Sequence, residues 1–129
     1  MTKLDPIIAV NNVAASADWY CDLFGFHNVH GDDHFAVLNS PENETVLCLH
    51  AWGTDEHPTM VDQDIPTGNG LLLYFRTNDW QTIRNRLDRI GWAIEEDVHQ
   101  NPNSHKQEFS FRDSDGYFII VTESHHYEG

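Results

Sequence analysis

The sequence predicts an α+β fold made of two tandem βαβββ modules that form a curved mixed sheet around a cavity. Three observations carry this reading. A strand, helix, glycine, aromatic order is written twice; the two closing glycines, Gly25 and Gly91, lie 66 residues apart; and each helix is followed by three short strand candidates. A period of about half the chain points to duplication of one unit rather than to a many-repeat solenoid.

The first module opens with Ile7-Ile8-Ala9-Val10, a β-branched apolar run that reads as a strand. Ser16 is the expected helix cap, after which Ala17, Tyr20, Cys21 and Phe24 recur at helical spacing and Gly25 ends the helix. Strands are expected around 26–30, 34–38 and 45–50, with a turn cluster at Asn39-Ser40-Pro41-Glu42-Asn43. The second module repeats this. Leu71-Leu72-Leu73-Tyr74-Phe75 reads as a strand, and Asn78 or Asp79 as a cap. Trp80, Ile83, Leu87 and Ile90 form one helical face that Gly91 closes. Three strands follow at 92–96, 108–112 and 117–122, the last two joined by Asp113-Ser114-Asp115-Gly116, a strong hairpin turn. The module boundaries fall at about 5–52 and 70–124. The segment between them, 53–69, is acidic with two prolines and two glycines and reads as a linker, and 125–129 is a polar tail.

Composition narrows the function classes. The 129 residues carry a net charge of −14, with eleven acidic residues and one lysine in 1–70. Such a field disfavours nucleic acid and anionic membranes and favours cationic ligands; keeping the chain soluble is the simpler alternative. No apolar run reaches the length of a membrane span, and 1–6 has no charged-then-apolar leader pattern, so a cytoplasmic location is expected. Cys21 and Cys48 form no C-x-x-C pair and read as buried thiols. There is no phosphate-binding glycine loop, dinucleotide fingerprint or nucleophile elbow.

Two longer motifs carry a resemblance. The run from Pro6 through Val10, then Ala15-Ser16-Ala17-Asp18-Trp19-Tyr20 and Leu23-Phe24-Gly25-Phe26, is similar to the opening of the vicinal oxygen chelate superfamily. That superfamily includes glyoxalase I, the extradiol dioxygenases and the bleomycin-resistance proteins. Phe109-Ser110-Phe111-Arg112-Asp113-Ser114-Asp115-Gly116-Tyr117 resembles its closing F-x-x-x-D-P-D-G signature, with Ser114 in place of the usual proline. The fold hosts lyases, isomerases, oxygenases and pure binders, so the resemblance does not choose among them. In the metal-dependent members, four side chains from the first and last strands of each module converge on one divalent ion. They are typically His or Gln, Glu, His and Glu. The corresponding positions here are Asp5, Cys48, Leu72 and Ile120. Two aliphatic side chains offer no lone pair, so neither metal nor other cofactor is expected, and no catalytic residue is assigned.

The ligand-binding candidates follow from strand parity. Cys48 and His50 share a face, and His50 reads either as a ligand or base in the cavity or as a strand-end residue at its rim. Tyr74 and Arg76 share the parity of Leu72. Arg76 reads either as an anion-binding group or as the partner of a protein carboxylate. Ile120 and Phe118 are expected to face inward, and Phe109 and Phe111 to add aromatic walls. His99, Asn101 and Asn103 sit in H-x-N-P-N-S, a segment similar to one in an uncharacterised branch of the superfamily. They read either as a ligand-facing loop or as plain turn formers. His27, His30 and His34, and His125-His126, read as exposed.

The expected function is therefore a small-molecule-binding protein, similar to the bleomycin-resistance members, that sequesters an aromatic or cationic compound without a metal. The resemblance implies a homodimer. Two alternatives stand beside it. One is a glyoxalase-type lyase or isomerase, using a displaced metal site at His50, His99 or His34 or metal-free acid–base chemistry. The other is an interaction module whose cavity is filled by its own side chains.

Overall fold

The structure is a computed structural model that describes residues 3–53 and 57–124. The chain divides into two compact units, Met1–Pro66 and Thr67–Gly129. Each repeats the same order of elements. Unit 1 contains β1 (Ile7–Val10), α1 (Val13–Phe24), β2 (His27–Gly31), β3 (Phe35–Asn39) and β4 (Thr45–Ala51). Unit 2 contains β5 (Leu73–Thr77), α2 (Trp80–Ile90), β6 (Ile94–Gln100), β7 (Gln107–Arg112) and β8 (Phe118–Glu123). The sheets have matching strand orders, β1-β4-β3-β2 and β5-β8-β7-β6, with one parallel pair in each. The α+β class and the duplication expected from sequence are both present. His125 and His126 lie outside the described residues.

Helix α1 begins three residues before the serine expected to cap it. Asn12 is the cap: its side-chain oxygen accepts from the Ala15 backbone N–H at 2.9 Å. Ser16 is instead buried on the helix face that meets the sheet, with Val13, Ala17, Tyr20 and Leu23. A small residue suits that close packing, and the apolar stripe therefore starts at Val13. Both helices end as expected, with Gly25 and Gly91 in the left-handed region at φ 76° and 68°.

Register divides each sheet into two faces, because directly paired residues point the same way. In unit 1, Ile8, Ala36, Leu38, Leu47 and Leu49 share the face against α1 and are buried. In unit 2, Leu73, Ile119, Val121, Phe109 and Phe111 share one fully covered face. Ile83 and Leu87 of α2 are its counterpart. Phe109 and Phe111 stack at 5.9 Å and are 0% exposed. This corrects the expectation that they line a ligand cavity. They belong to the core, because Glu108, Ser110 and Arg112 take the other parity.

Strand β6 runs to Gln100, past the stretch expected from sequence. Two bulges, between Ile94 and Glu96 and between Glu96 and His99, let this charged edge strand follow β7. Arg84 ties α2 to it. Its guanidinium donates through Nε to Asp97 Oδ1 at 2.8 Å and through Nη2 to Oδ2 at 2.9 Å, and through Nη1 to Asp88 at 2.7 Å. The Arg84 hydrogen bonds, helped by the Val98 backbone N–H, hold the Asp97 carboxyl down at about 2.

Two expected outcomes follow. Phe109→Ala removes a fully packed ring and lowers unfolding free energy by about 3–5 kcal/mol in urea titration. Phe118→Ala, half-exposed on the opposite face, lowers it by less than about 2 kcal/mol. The second concerns pH. Because the folded Asp97 pKa is depressed, its contribution is present above the unfolded value and lost as pH falls through about 2. Asp97→Asn is therefore less stable than the native chain near neutral pH, and the gap closes as unfolding is measured toward pH 2.

Candidate functional site

The faces turned away from the core carry the chemistry, and each unit has its own set. In unit 2, Tyr74 pairs with Ile120, Arg76 with Thr122, and Thr122 with Glu108; Ser110 pairs with Ile120 and Arg112 with Phe118. One face thus presents Tyr74, Arg76, Glu108, Ser110, Phe118, Ile120 and Thr122. The parity expected for Tyr74, Arg76, Phe118 and Ile120 is present in this register.

Glu108 is the centre of the face. It is 5% exposed, yet a buried carboxylate without partners is costly. Tyr74 Oη donates to its Oε2 at 3.2 Å, and Asn101 Nδ2 donates to its Oε1 at 2.9 Å. His99 Nε2 lies 3.8 Å from Oε1 and 3.6 Å from Glu96 Oε1. The His99 Nδ1–H donates to the Asp97 carbonyl at 2.8 Å, which turns Nε2 toward the two carboxylates. The 3.8 and 3.6 Å separations are ion-pair distances, longer than a hydrogen bond, so His99 is a neighbour of Glu108 rather than a third donor to it.

Asn101 reconciles the two readings of the H-x-N-P-N-S segment. Its side-chain oxygen accepts from the backbone N–H of Asn103 at 2.8 Å and of Ser104 at 3.2 Å, which forms the turn. Its amide nitrogen serves Glu108. His99 lies in β6 rather than in a loop, and Asn103 enters the arrangement through its backbone. Sequence reasoning had assigned no role to Glu108. The signal was present in the alternation Glu108-Phe109-Ser110-Phe111-Arg112, which places polar residues on one face and both phenylalanines on the other.

Unit 1 presents Cys48 and His50 on one face, paired with Val37 and Phe35. His50 is 7% exposed, and its Nδ1–H donates to the Ala51 carbonyl at 2.8 Å. The Phe35 ring lies between His30, at 6.0 Å, and His50, at 5.9 Å. His57 meets His50 at 5.0 Å with the ring planes near perpendicular. An open cleft of about 490 Å3 lies in the segment from Trp52 to Asp64, lined by Trp52, Val61, Asp62 and Asp64 among others. It is lined by none of the expected ligand residues, so this cleft and the chemistry of unit 1 do not coincide.

The positions that hold the ion in metal-dependent relatives do not fit one here. Burial, followed by the charge of Asp5, pushes the Cys48 thiol up and keeps it protonated. Ile120 is aliphatic and directly paired with Tyr74, and Leu72, just ahead of β5, is also aliphatic. Among the described residues no group of three or more His, Cys, Asp or Glu is gathered for a metal.

The family model described as Glyoxalase/Bleomycin resistance protein/Dioxygenase superfamily matches residues 3–121. No curated protein matches the chain. Among solved structures, a protein from Agrobacterium tumefaciens determined by solution NMR has a TM-score of 0.73 at 22% identity, covering 98% of this chain and 100% of its own. A lactoylglutathione lyase from Agrobacterium tumefaciens gives 0.70 at 17%, covering 95% and 92%. TioX from Micromonospora sp. ML1 gives 0.66 at 16%, covering 97% and 100%. Likenesses at these identities show a common fold.

Removing a donor tests the Glu108 arrangement. Asn101→Ala leaves a buried carboxylate oxygen short of a partner and costs about 1–3 kcal/mol in urea unfolding at neutral pH. Substituting Glu108→Gln in the same chain recovers part of that loss, because the uncharged amide tolerates burial better.

Proposed function

The chain belongs to the Glyoxalase/Bleomycin resistance protein/Dioxygenase superfamily, and on that premise we propose that it is a small-molecule-binding protein that holds an aromatic or cationic compound without a metal. The observation that carries this reading is Glu108, a buried carboxylate fixed from two sides by Tyr74 and Asn101. A carboxylate has about four lone-pair directions, and two are taken by these donors. The remaining capacity, beside Tyr74 and with Ile120 and then Phe118 further along the same face, suits a ligand with an N–H or cationic group attached to an apolar body. In unit 2, Arg76, His99 and Asn103 complete the proposed set of ligand-binding residues around Glu108; Cys48 and His50 are proposed separately, on the outward face of unit 1. The charge of −14 supports cation attraction and disfavours nucleic acid. No helix among the described residues is long and apolar enough to cross a membrane. A cytoplasmic homodimer remains part of the proposal.

A second reading is favoured by one specific observation. Glu108 touches a phenol and stands beside an imidazole, which is the equipment of metal-free acid–base chemistry. In a lyase or isomerase, Glu108 would take a proton from a carbon next to a carbonyl, and Tyr74 would donate a hydrogen bond to the developing oxyanion.

The test is calorimetric titration of the full chain with a panel of aromatic cations, with and without a chelator. Binding is expected to be insensitive to the chelator and at least about tenfold weaker in Glu108→Gln. Absence of binding by every member, or loss of binding on chelation, overturns the reading. Turnover of a hemithioacetal that disappears in Glu108→Gln favours the enzyme instead.

A further inference from the structure

Unit 1 places two imidazoles together that the ligand reading leaves without a joint role. His50 lies near the end of β4, on the face opposite α1. His57 precedes the short 3-10 turn Pro58–Met60, and its carbonyl accepts from the Met60 N–H at 2.9 Å. The Gly53 N–H donates to the Met60 carbonyl at 2.8 Å, and Met60 is buried, so the turn is tied back to the end of β4. This positions the His57 ring against His50.

The chemistry of the pair is set by one hydrogen bond. A carbonyl can only accept, so the 2.8 Å contact from His50 Nδ1 to Ala51 O places the proton on Nδ1. The neutral ring then has its lone pair on Nε2. A ring nitrogen held to a backbone carbonyl in this way is the usual second partner of a metal-ligating histidine. The spacing agrees. Metal–imidazole bonds of about 2.0–2.1 Å put each ring centroid about 3.2 Å from an ion, so two rings on one ion near the tetrahedral angle have centroids about 5 Å apart. The observed separation is 5.0 Å, and the interplanar angle of 78° is free to vary about the metal–nitrogen bonds. The surrounding field is favourable, with eleven acidic residues and one lysine in residues 1–70.

We propose that His50 and His57 form a two-imidazole site for a late first-row divalent transition ion, of the zinc, nickel or copper class, with its remaining positions open to water or an added ligand. Imidazole suits these ions and not magnesium or calcium, which take oxygen donors. The residues differ from the four positions that hold the ion in metal-dependent relatives, and the site needs neither Glu108 nor any residue of unit 2.

The experiment uses the full chain, stripped with a chelator and titrated with Ni2+ or Zn2+ alone by calorimetry. One binding equivalent is expected, with affinity reduced at least about tenfold in His57→Gln and in His50→Gln and unchanged in Glu108→Gln. Mg2+ produces no binding. Long-range nitrogen–proton NMR spectra are expected to shift Nε2 of His50 and leave Nδ1 protonated. His50 is buried, so His57→Gln, on a half-buried loop residue, is the deciding variant, with circular dichroism confirming its fold. The other histidines are a competing source of affinity. A variant with His125→Ala and His126→Ala should keep the site. If His57→Gln binds metal as the native chain does, if affinity disappears with the tail histidines, or if metal appears on Nδ1 of His50, the proposal is wrong. Loss of aromatic-cation binding in Glu108→Gln with intact metal binding separates this site from the ligand reading.

Discussion

One helix can cover only one face of a four-stranded sheet, and each unit has one long helix. That constraint sorts the side chains. In β7 and β8, Phe109, Phe111, Ile119 and Val121 are removed from water, while Glu108, Ser110, Ile120 and Thr122 alternate with them toward the other face. Burying rings such as Phe109 and Phe111 contributes several kcal/mol each, on the order of the whole stability margin of a small domain. Register is therefore fixed by the apolar set, and the polar set is carried along with it. A one-residue slip would put Glu108 under the helix and both phenylalanines in the opposite face. The site is thus a consequence of core packing rather than an independent design.

The same constraint explains what was legible in the sequence. Gly25 and Gly91 announce their helix ends, because a left-handed cap has few substitutes. The Asp113-to-Gly116 turn was equally clear: Asp113 Oδ1 accepts from both Asp115 and Tyr117 N–H groups. Parity counted from the first strand of unit 2 put Tyr74 and Arg76 on one face. Phe109 and Phe111 take the opposite face, because alternation and not aromatic character decides which way a strand side chain points, and the same alternation places Glu108 outward. The α1 start was misplaced because both Asn12 and Ser16 are good caps, and only packing shows that Ser16 belongs inside. His57 was not legible. It lies in a stretch with no periodicity, and its approach to His50 depends on a turn tied by Gly53 and Met60.

Duplication gave the two units one topology, yet their outward faces now differ in kind. Unit 1 carries rings and a thiol: His30, Phe35, Cys48 and His50. Unit 2 carries a hydrogen-bonded carboxylate with hydroxyls around it. Neither retains the carboxylates that the superfamily's metal-dependent members place on their last strands, since Cys48 and Ile120 stand there. Such divergence leaves the register untouched, because these positions lie on the face opposite the apolar set that packs against the helix. The scaffold keeps its helix-side residues, and the opposite face can change its chemistry without changing its register.

Glu108 stands apart on that opposite face. An apolar residue at its position would spare the chain the desolvation of a carboxylate, and Asn101 and Tyr74 would not need to be held in reach. Buried charges replaced by well-packed apolar side chains often leave a protein as stable or more stable. The chain instead supports Glu108 with a strand residue, a turn residue and a nearby imidazole, drawn from β5, the β6–β7 turn and β6. Asn101 even serves twice, closing the turn with its oxygen and meeting the carboxylate with its nitrogen. A buried carboxylate braced from three segments on an otherwise half-apolar face is the feature on which the proposed ligand-binding role rests.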